Sequence, residues 1–237
     1  MICMKILYFD CSNGISGDML FGAAADLSGK KNEITENIKE LTFSECGDCG
    51  KDCGHVHGSG HSHGRSYAEV KKMIEQSPVP EGAKEYALRI YSCIAKAEAD
   101  VHGATLETVH FHEVGRDEAV KNALATGMAV EAINPDRILV SPIYDGHGSI
   151  VCSHGRISVP VPAVKALMKD SGYIFETADI NTEMVTPSGL AGLMGIGAEP
   201  AERERGLPGK IIKETEARGM RNTGLAGLKA YIIATDE

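Results

Sequence analysis

Ile6-Leu7-Tyr8-Phe9-Asp10-Cys11-Ser12-Asn13-Gly14-Ile15-Ser16-Gly17-Asp18-Met19 is the stretch whose reading decides the fold. The continuous apolar run at 6–9 predicts a short strand buried on both faces. It delivers Asp10 to its C-terminal end and meets a Gly/Ser-rich turn. Met19, Leu20, Ala23, Ala24 and Leu27 then recur with helical spacing. Strand, small-residue turn and helix in that order aim free backbone N–H groups and a positive dipole end at an anion. Ser12, Asn13, Gly14, Ser16 and Gly17 are therefore candidate anion-binding residues, the glycines for close backbone approach and the hydroxyls as donors. Asp10 and Asp18 flank the turn and could hold a divalent metal riding on a phosphate. The Lys and the spacing of a Walker A loop are missing, which excludes that assignment. A plain strand–helix connection, with Ser16 or Asp18 serving the helix N-terminus, uses the same residues.

Working outward, the chain alternates between the two periodicities, which predicts an α/β fold: a mixed sheet with flanking helices. Residues 32–41 read as a short amphipathic helix with Ile34, Ile38 and Leu41 on one stripe. Ser66 and Glu69 form a capping box opening a helix that stops before Pro78. A long helix follows over 82–102, with Gly103 suited to its C-cap. Residues 117–132 are helical again and end at Asn134-Pro135, ahead of a second buried strand at 138–140. Strands at 150–152 and 157–159 flank a turn carrying His154 and Arg156, which could meet a ligand's anion or stand as solvated charges on a surface hairpin. Pro160 and Pro162 fit the first turn of the next helix. A strand is expected at 173–175. Thr186 as N-cap and Pro187 at N1 open another helix, a second strand-to-helix anion site that adds Thr186 and Ser188 to the candidates. Strands at 211–215 and 228–234 complete the series.

Thr108-Val109-His110-Phe111-His112-Glu113-Val114-Gly115 carries the densest metal-ligating chemistry. In an extended segment the side chains at i and i+2 share a face. His110 and His112 then look the same way, close enough to bind one ion, with Glu113 beside them and Phe111 opposite. Imidazole plus carboxylate suits Zn, Ni, Fe or Mn better than Mg or Ca. The same spacing also describes two partly exposed, hydrogen-bonded and inert histidines on an edge strand. Residues 44–65 are different in kind: Cys46, Cys49, Cys53, His55, His57, His61 and His63 stand among glycines. Too little apolar material is present there to fold alone, so the segment reads as a flexible insertion. Its ligand density points to auxiliary capture of soft or borderline metals. No well-spaced second Cys pair specifies a closed zinc site.

The 237 residues allow one large domain or two small ones. A net charge of −9 argues against a nucleic-acid binder. No apolar run approaches the ~20 residues of a membrane helix. The apolar N-terminus is too short for a signal peptide. Seven cysteines without an export signal therefore read as reduced thiols in the cytoplasm. The oligomeric state, including a homo-oligomer, is left open.

Taken together these motifs resemble the LarC family of nickel-insertion proteins. The resemblance begins in Phe9-Asp10 and the run from Ser12 to Met19. It continues in Lys96-Ala97-Glu98-Ala99-Asp100-Val101-His102-Gly103, then in residues 109–115, in His154-Gly155-Arg156 and Val159-Pro160, and in Val185-Thr186-Pro187-Ser188-Gly189. It implies a single α/β domain over 1–43 and 66–237 matching the LarC N-terminal region, with 44–65 as the Cys/His-rich linker. It also implies a function: insertion of Ni(II) into a pyridinium bisthiocarboxylic acid mononucleotide, making the nickel-pincer nucleotide of lactate racemase-type enzymes. CTP would be the co-substrate and Mn(II) or Mg(II) the helper ion. Asp10, Asp18, Glu113 and His154 are the catalytic candidates, and His110, His112, Glu113, Asp10 and Asp18 the metal-binding ones.

Three segments depart from the family pattern: 116–122, 216–220, and the short stretch between Leu27 and the His tract. The chain also stops where fuller members continue into a C-terminal domain, so a separate C-terminal LarC-like chain is the expected partner. Two competing classes remain, a nickel-storage or metallochaperone module without nucleotide chemistry and a metal-dependent phosphohydrolase.

Overall fold

Strand β1 (Cys3–Asp10) runs through the middle of the sheet, as its apolar run requires. The computed structural model describes residues 3–43, 64–152, 155–201, 207–220 and 224–236. Five strands are ordered β10 (Lys210–Ala217), β11 (Leu228–Asp236), β1, β4 (Arg137–Val140) and β9 (Glu199–Pro200). β1 is antiparallel to β11 and parallel to β4, so the sheet is mixed. Three two-stranded ladders stand apart from it. The first is β2 (Arg65–Ser66) with β3 (His110–Phe111). The second is β5 (Ile143–Asp145) with β8 (Phe175–Thr177), and the third is the hairpin β6 (Ser149–Cys152) with β7 (Gly155–Ser158).

The helices are α1 (Gly17–Ser28), α2 (Lys31–Glu40), α3 (Tyr67–Gln76), α4 (Glu81–His102), α5 (Asp117–Ile133), α6 (Pro162–Ser171) and α7 (Pro187–Gly195). One face of β1 feeds the main core through Leu7 and Phe9, packed with Leu20 of α1, Ile90 of α4, Leu124 of α5 and Leu190 of α7. The other face holds a small cluster of Ile6, Leu139 and Ile233, flanked by Tyr8 and Tyr231. Both faces of β1 are thus covered, in line with the uninterrupted apolar run.

Local chemistry sets most boundaries. The Ser66 hydroxyl accepts the Glu69 N–H at 3.2 Å, and the Glu69 carboxylate accepts the Ser66 N–H at 2.7 Å, completing the capping box. Gly103 closes α4 in the left-handed conformation, and Pro162 occupies the first turn of α6. Three expectations are corrected. Pro160 lies outside the helix, behind a cis Val159–Pro160 peptide. The strand expected at 173–175 begins only at Phe175, because pairing with β5 starts at Ile143. Arg65, assigned to the flexible linker, is already in β2. Its Nη1 donates to the Gly115 carbonyl at 2.9 Å and pairs with Asp117 at 2.5 Å. Residues 44–63, and with them the Cys/His candidates, lie outside the described residues. No described helix is long and apolar enough to cross a membrane.

Candidate functional site

The two strand-to-helix turns foreseen in the sequence meet side by side. Ile15 and Val185 form a parallel bridge, with the Ile15 N–H donating to the Met184 carbonyl at 2.9 Å and the Thr186 N–H to the Ile15 carbonyl at 2.9 Å. Ser16 caps α1 through the Met19 N–H, and Thr186 caps α7 through the Gly189 N–H at 3.2 Å. Close approach requires glycine: a Cβ on Gly17 would lie 2.9 Å from the Ser188 hydroxyl, and one on Gly14 only 2.2 Å from the Met184 carbonyl. Both helix N-termini open on one cavity of about 700 Å³, lined by Asn13, Ser16, Asp18, Thr186 and Ser188 among others. The first N–H groups of a helix have no partner within it, and two positive dipole ends add at such a place.

The remaining wall was not read from the sequence as part of a site. Glu183, Met184 and the segments Arg218-Gly219-Met220 and 224–227 complete the lining. Residues 218–220, the end of the segment that departs from the family pattern, are therefore cavity wall. Asp18 reaches it directly: one carboxylate oxygen accepts the Met220 N–H at 2.6 Å and the other accepts the Ser16 hydroxyl. Glu216 accepts the Gly227 N–H at 3.0 Å, which holds its carboxyl below the usual carboxylate range. Asn13 donates to the Gly227 carbonyl at 3.3 Å. Two acidic residues, Asp18 and the buried Glu183, thus stand in the lining with one basic residue, Arg218, which pairs with Glu216 at 3.4 Å. Bare anions gain less there than the helix ends alone would give, whereas a ligand carrying both an anion and a cation satisfies every wall.

Asp145 is a further residue that no sequence signal picked out. It is buried at 4% exposure behind the 183–185 wall, where burial pushes its carboxyl pKa up against the lowering effect of its N–H partners. Asp10 does not line the cavity: its carboxylate accepts the Ser12 N–H at 3.0 Å and the Ser12 hydroxyl, so these two candidates serve one another. Arg156 lies on the exposed hairpin with Nη1 3.2 Å from the Ser149 hydroxyl, also away from the cavity lining. His154 lies outside the described residues.

The 110–113 segment alternates as expected. Val109 and Phe111 are buried, both at 1% exposure, and His110 and His112 are exposed. Phe111 is held between Tyr67 and Tyr91, with ring centroids 6.2 and 5.9 Å away, and the Tyr91 hydroxyl donates to the Val114 carbonyl at 2.7 Å. Gly64 enters here, so close that a Cβ would lie 2.4 Å from the Phe111 carbonyl and 3.2 Å from His112 Nδ1. The end of the Cys/His-rich sequence thus joins the described fold beside the histidine pair. Asp117, the acidic residue in the altered segment after the motif, pairs with Arg65. The end of α5 sits at the start of β1, where Lys5 Nζ reaches the Ile133 carbonyl at 2.9 Å. Its beginning, with the histidines ahead of it, therefore points toward the end of the sheet where the α1 turn lies. None of His110, His112 and Glu113 is among the residues lining this cavity. Among the described residues no group of three or more His, Cys, Asp or Glu is gathered to hold a metal ion.

Fold and cavity define an α/β domain with a mixed sheet, flanking helices and two helix N-termini on one cavity. The chain belongs to the nickel insertion protein family, whose model matches residues 7–223. It is 35% identical to the pyridinium-3,5-bisthiocarboxylic acid mononucleotide nickel insertion protein of Acetivibrio thermocellus, over 93% of this chain and 58% of that protein. Proteins of the same name from Geobacillus kaustophilus and Alkaliphilus metalliredigens are 37% and 31% identical, each over 78% of this chain and over 49% and 50% of their own lengths. The chain thus spans about half of the curated relatives it matches. No solved structure matches it.

Proposed function

We propose that this chain holds a pyridinium bisthiocarboxylic acid mononucleotide while Ni(II) is inserted into it, as the nickel chelatase that makes the nickel-pincer nucleotide of lactate racemase-type enzymes. The observation that carries the reading is the single cavity shared by the N-termini of α1 and α7. A mononucleotide brings a phosphate for the helix ends and a cationic ring for the acidic residues Asp18 and Glu183. Sulfur donors on the substrate suit Ni(II), and as thiocarboxylates they meet it already ionised. Asp18 is the candidate base on the cavity wall. Asp10 and Glu113 are candidates off it, and His154, outside the described residues, is a candidate on the resemblance alone. His110, His112 and Glu113 form a nickel-delivery surface, with Cys46, Cys49, Cys53, His55, His57, His61 and His63 capturing the metal ahead of it.

CTP is the co-substrate in this reading, in a cytoplasmic setting. A separate C-terminal LarC-like chain is the partner. Mn(II) or Mg(II) enters with the triphosphate, as such ions commonly do.

The deciding experiment measures nickel incorporation into the mononucleotide with and without CTP, Mn(II) and the partner chain. Incorporation that requires the mononucleotide and CTP is expected. Tight nickel binding indifferent to both would instead make the protein a metallochaperone, and CTP hydrolysis unaffected by the mononucleotide would make it a phosphohydrolase. His110→Ala combined with His112→Ala removes two exposed side chains, so the melting curve is expected to hold. Incorporation should fall on the order of a hundredfold, a scale that even outer-sphere partners of metal ligands reach. An unchanged rate would make the pair structural. Deleting residues 46–63 is expected to slow incorporation at scarce nickel and to spare it at excess. Loss at saturating nickel would contradict the capture role.

A further inference from the structure

We infer that Asp145 is a positioning residue for the mononucleotide cavity: its Oδ1 gathers the N–H groups of Gly146, Met184 and Val185 at 2.8, 2.9 and 3.1 Å and so fixes the wall that carries Glu183 and the α7 cap. The inference rests on the mononucleotide reading above. Segment 183–186 is held from one side by Ile15, through the paired bonds to Met184 and Thr186. Asp145 holds it from the other side. Asp145 is itself anchored to the same turn through the neighbouring Tyr144, whose N–H donates to the Cys11 carbonyl at 3.1 Å, and its own carbonyl accepts the N–H of Ala178, just past β8, at 2.8 Å. One carboxylate oxygen therefore sets the spacing between the α1 turn and the α7 cap. Phosphate binding needs that spacing, since useful N–H donors must lie within hydrogen-bond range of the same oxygens. The other oxygen, Oδ2, is buried with no hydrogen-bond partner among the described residues. The side chain's bonding is thus concentrated on the wall.

The test compares Asp145→Asn, which keeps an acceptor at the Oδ1 position, with Asp145→Ala, which removes it. Two readouts are taken on the full chain: affinity for nicotinic acid mononucleotide as a pyridinium mononucleotide probe, and amide hydrogen exchange at Met184 and Val185. The Ala variant is expected to bind the probe about tenfold or more weakly and to exchange those amides faster, while Asn restores both to within about twofold, because small misplacements of a binding wall are costly. Wild-type affinity in Asp145→Ala, or an Asn variant as weak as Ala, would overturn the inference. If Asp145→Ala does not fold, Asp145→Glu takes its place: it keeps the charge but shifts the oxygens by one methylene, and wild-type affinity there overturns the inference equally. If the unaltered protein binds no mononucleotide, the substrate reading fails, and exchange at Met184 and Val185 alone decides the role of Asp145.

Discussion

Gly14→Ala is expected to weaken mononucleotide binding about a hundredfold while leaving the helices in place. Gly14 has φ of +77°, a left-handed conformation that costs a residue with a side chain about 1–2 kcal/mol. The larger effect is steric. The new Cβ would sit 2.2 Å from the Met184 carbonyl oxygen and 2.6 Å from its carbonyl carbon, and backbone cannot swing aside as a flexible side chain can. Either the turn or the 184–186 segment must move, and the Ile15–Val185 bridge lies one residue from the collision in both. The two helix N-termini then no longer face one ligand. A loss of about a hundredfold in affinity for nicotinic acid mononucleotide, roughly 2.7 kcal/mol, is the expected result of calorimetric titration. Circular dichroism should show the helical content of α1 and α7 retained. Wild-type affinity in this variant would mean that the ligand does not use the paired turns. Gly103→Ala serves as the control, because it has the same sign of φ at 62° and nothing within 4 Å of its would-be Cβ. It should lower stability modestly and leave binding alone.

The contrast between these two glycines also marks what the sequence could reveal. Gly103 was legible because a helix end is a local event, written in the last apolar position and the glycine after it. The same holds for the Ser66 capping box and the Thr186–Pro187 start of α7, and for the alternation that buries Val109 and Phe111 and exposes the two histidines. Gly14 was legible as an anion-turn glycine, but its neighbour was not: Met184 lies 170 positions along the chain, and no periodicity encodes that meeting. Asp145 was invisible for the same reason. It reads as a turn residue, and only the fold brings two N–H groups 39 and 40 positions away onto its carboxylate. The place of the histidine segment relative to the cavity was not legible either, because it is set by helix packing: α5 runs to the same end of the sheet, and none of His110, His112 and Glu113 is in the cavity lining. The segment at 216–220 stood out only as a departure from a family pattern, and its last three residues are cavity wall.

Phe111→Ala should cost more stability than any substitution of the exposed histidines, and it should disable them as well. Phe111 is 1% exposed, and its ring is wedged between Tyr67 and Tyr91 under α3 and α4. Truncating such a side chain removes its transfer free energy and leaves a void that the surroundings only partly fill, about 3–5 kcal/mol in comparable cores. For a domain of this size a loss of that order lowers the melting temperature by roughly 6–20 °C. The functional consequence follows from geometry. His110 and His112 flank Phe111 in sequence, and β3 has only two residues pairing it to β2, so the buried ring is what orients the exposed imidazoles. Nickel transfer is therefore expected to fall in Phe111→Ala even at temperatures where the variant stays folded. Phe111→Leu, which keeps most of the buried volume, should recover most of the melting temperature and much of the transfer. If instead Phe111→Ala melts early but transfers nickel at the wild-type rate below its transition, the histidines do not depend on this anchor. The delivery role would then have to be sought elsewhere on the chain.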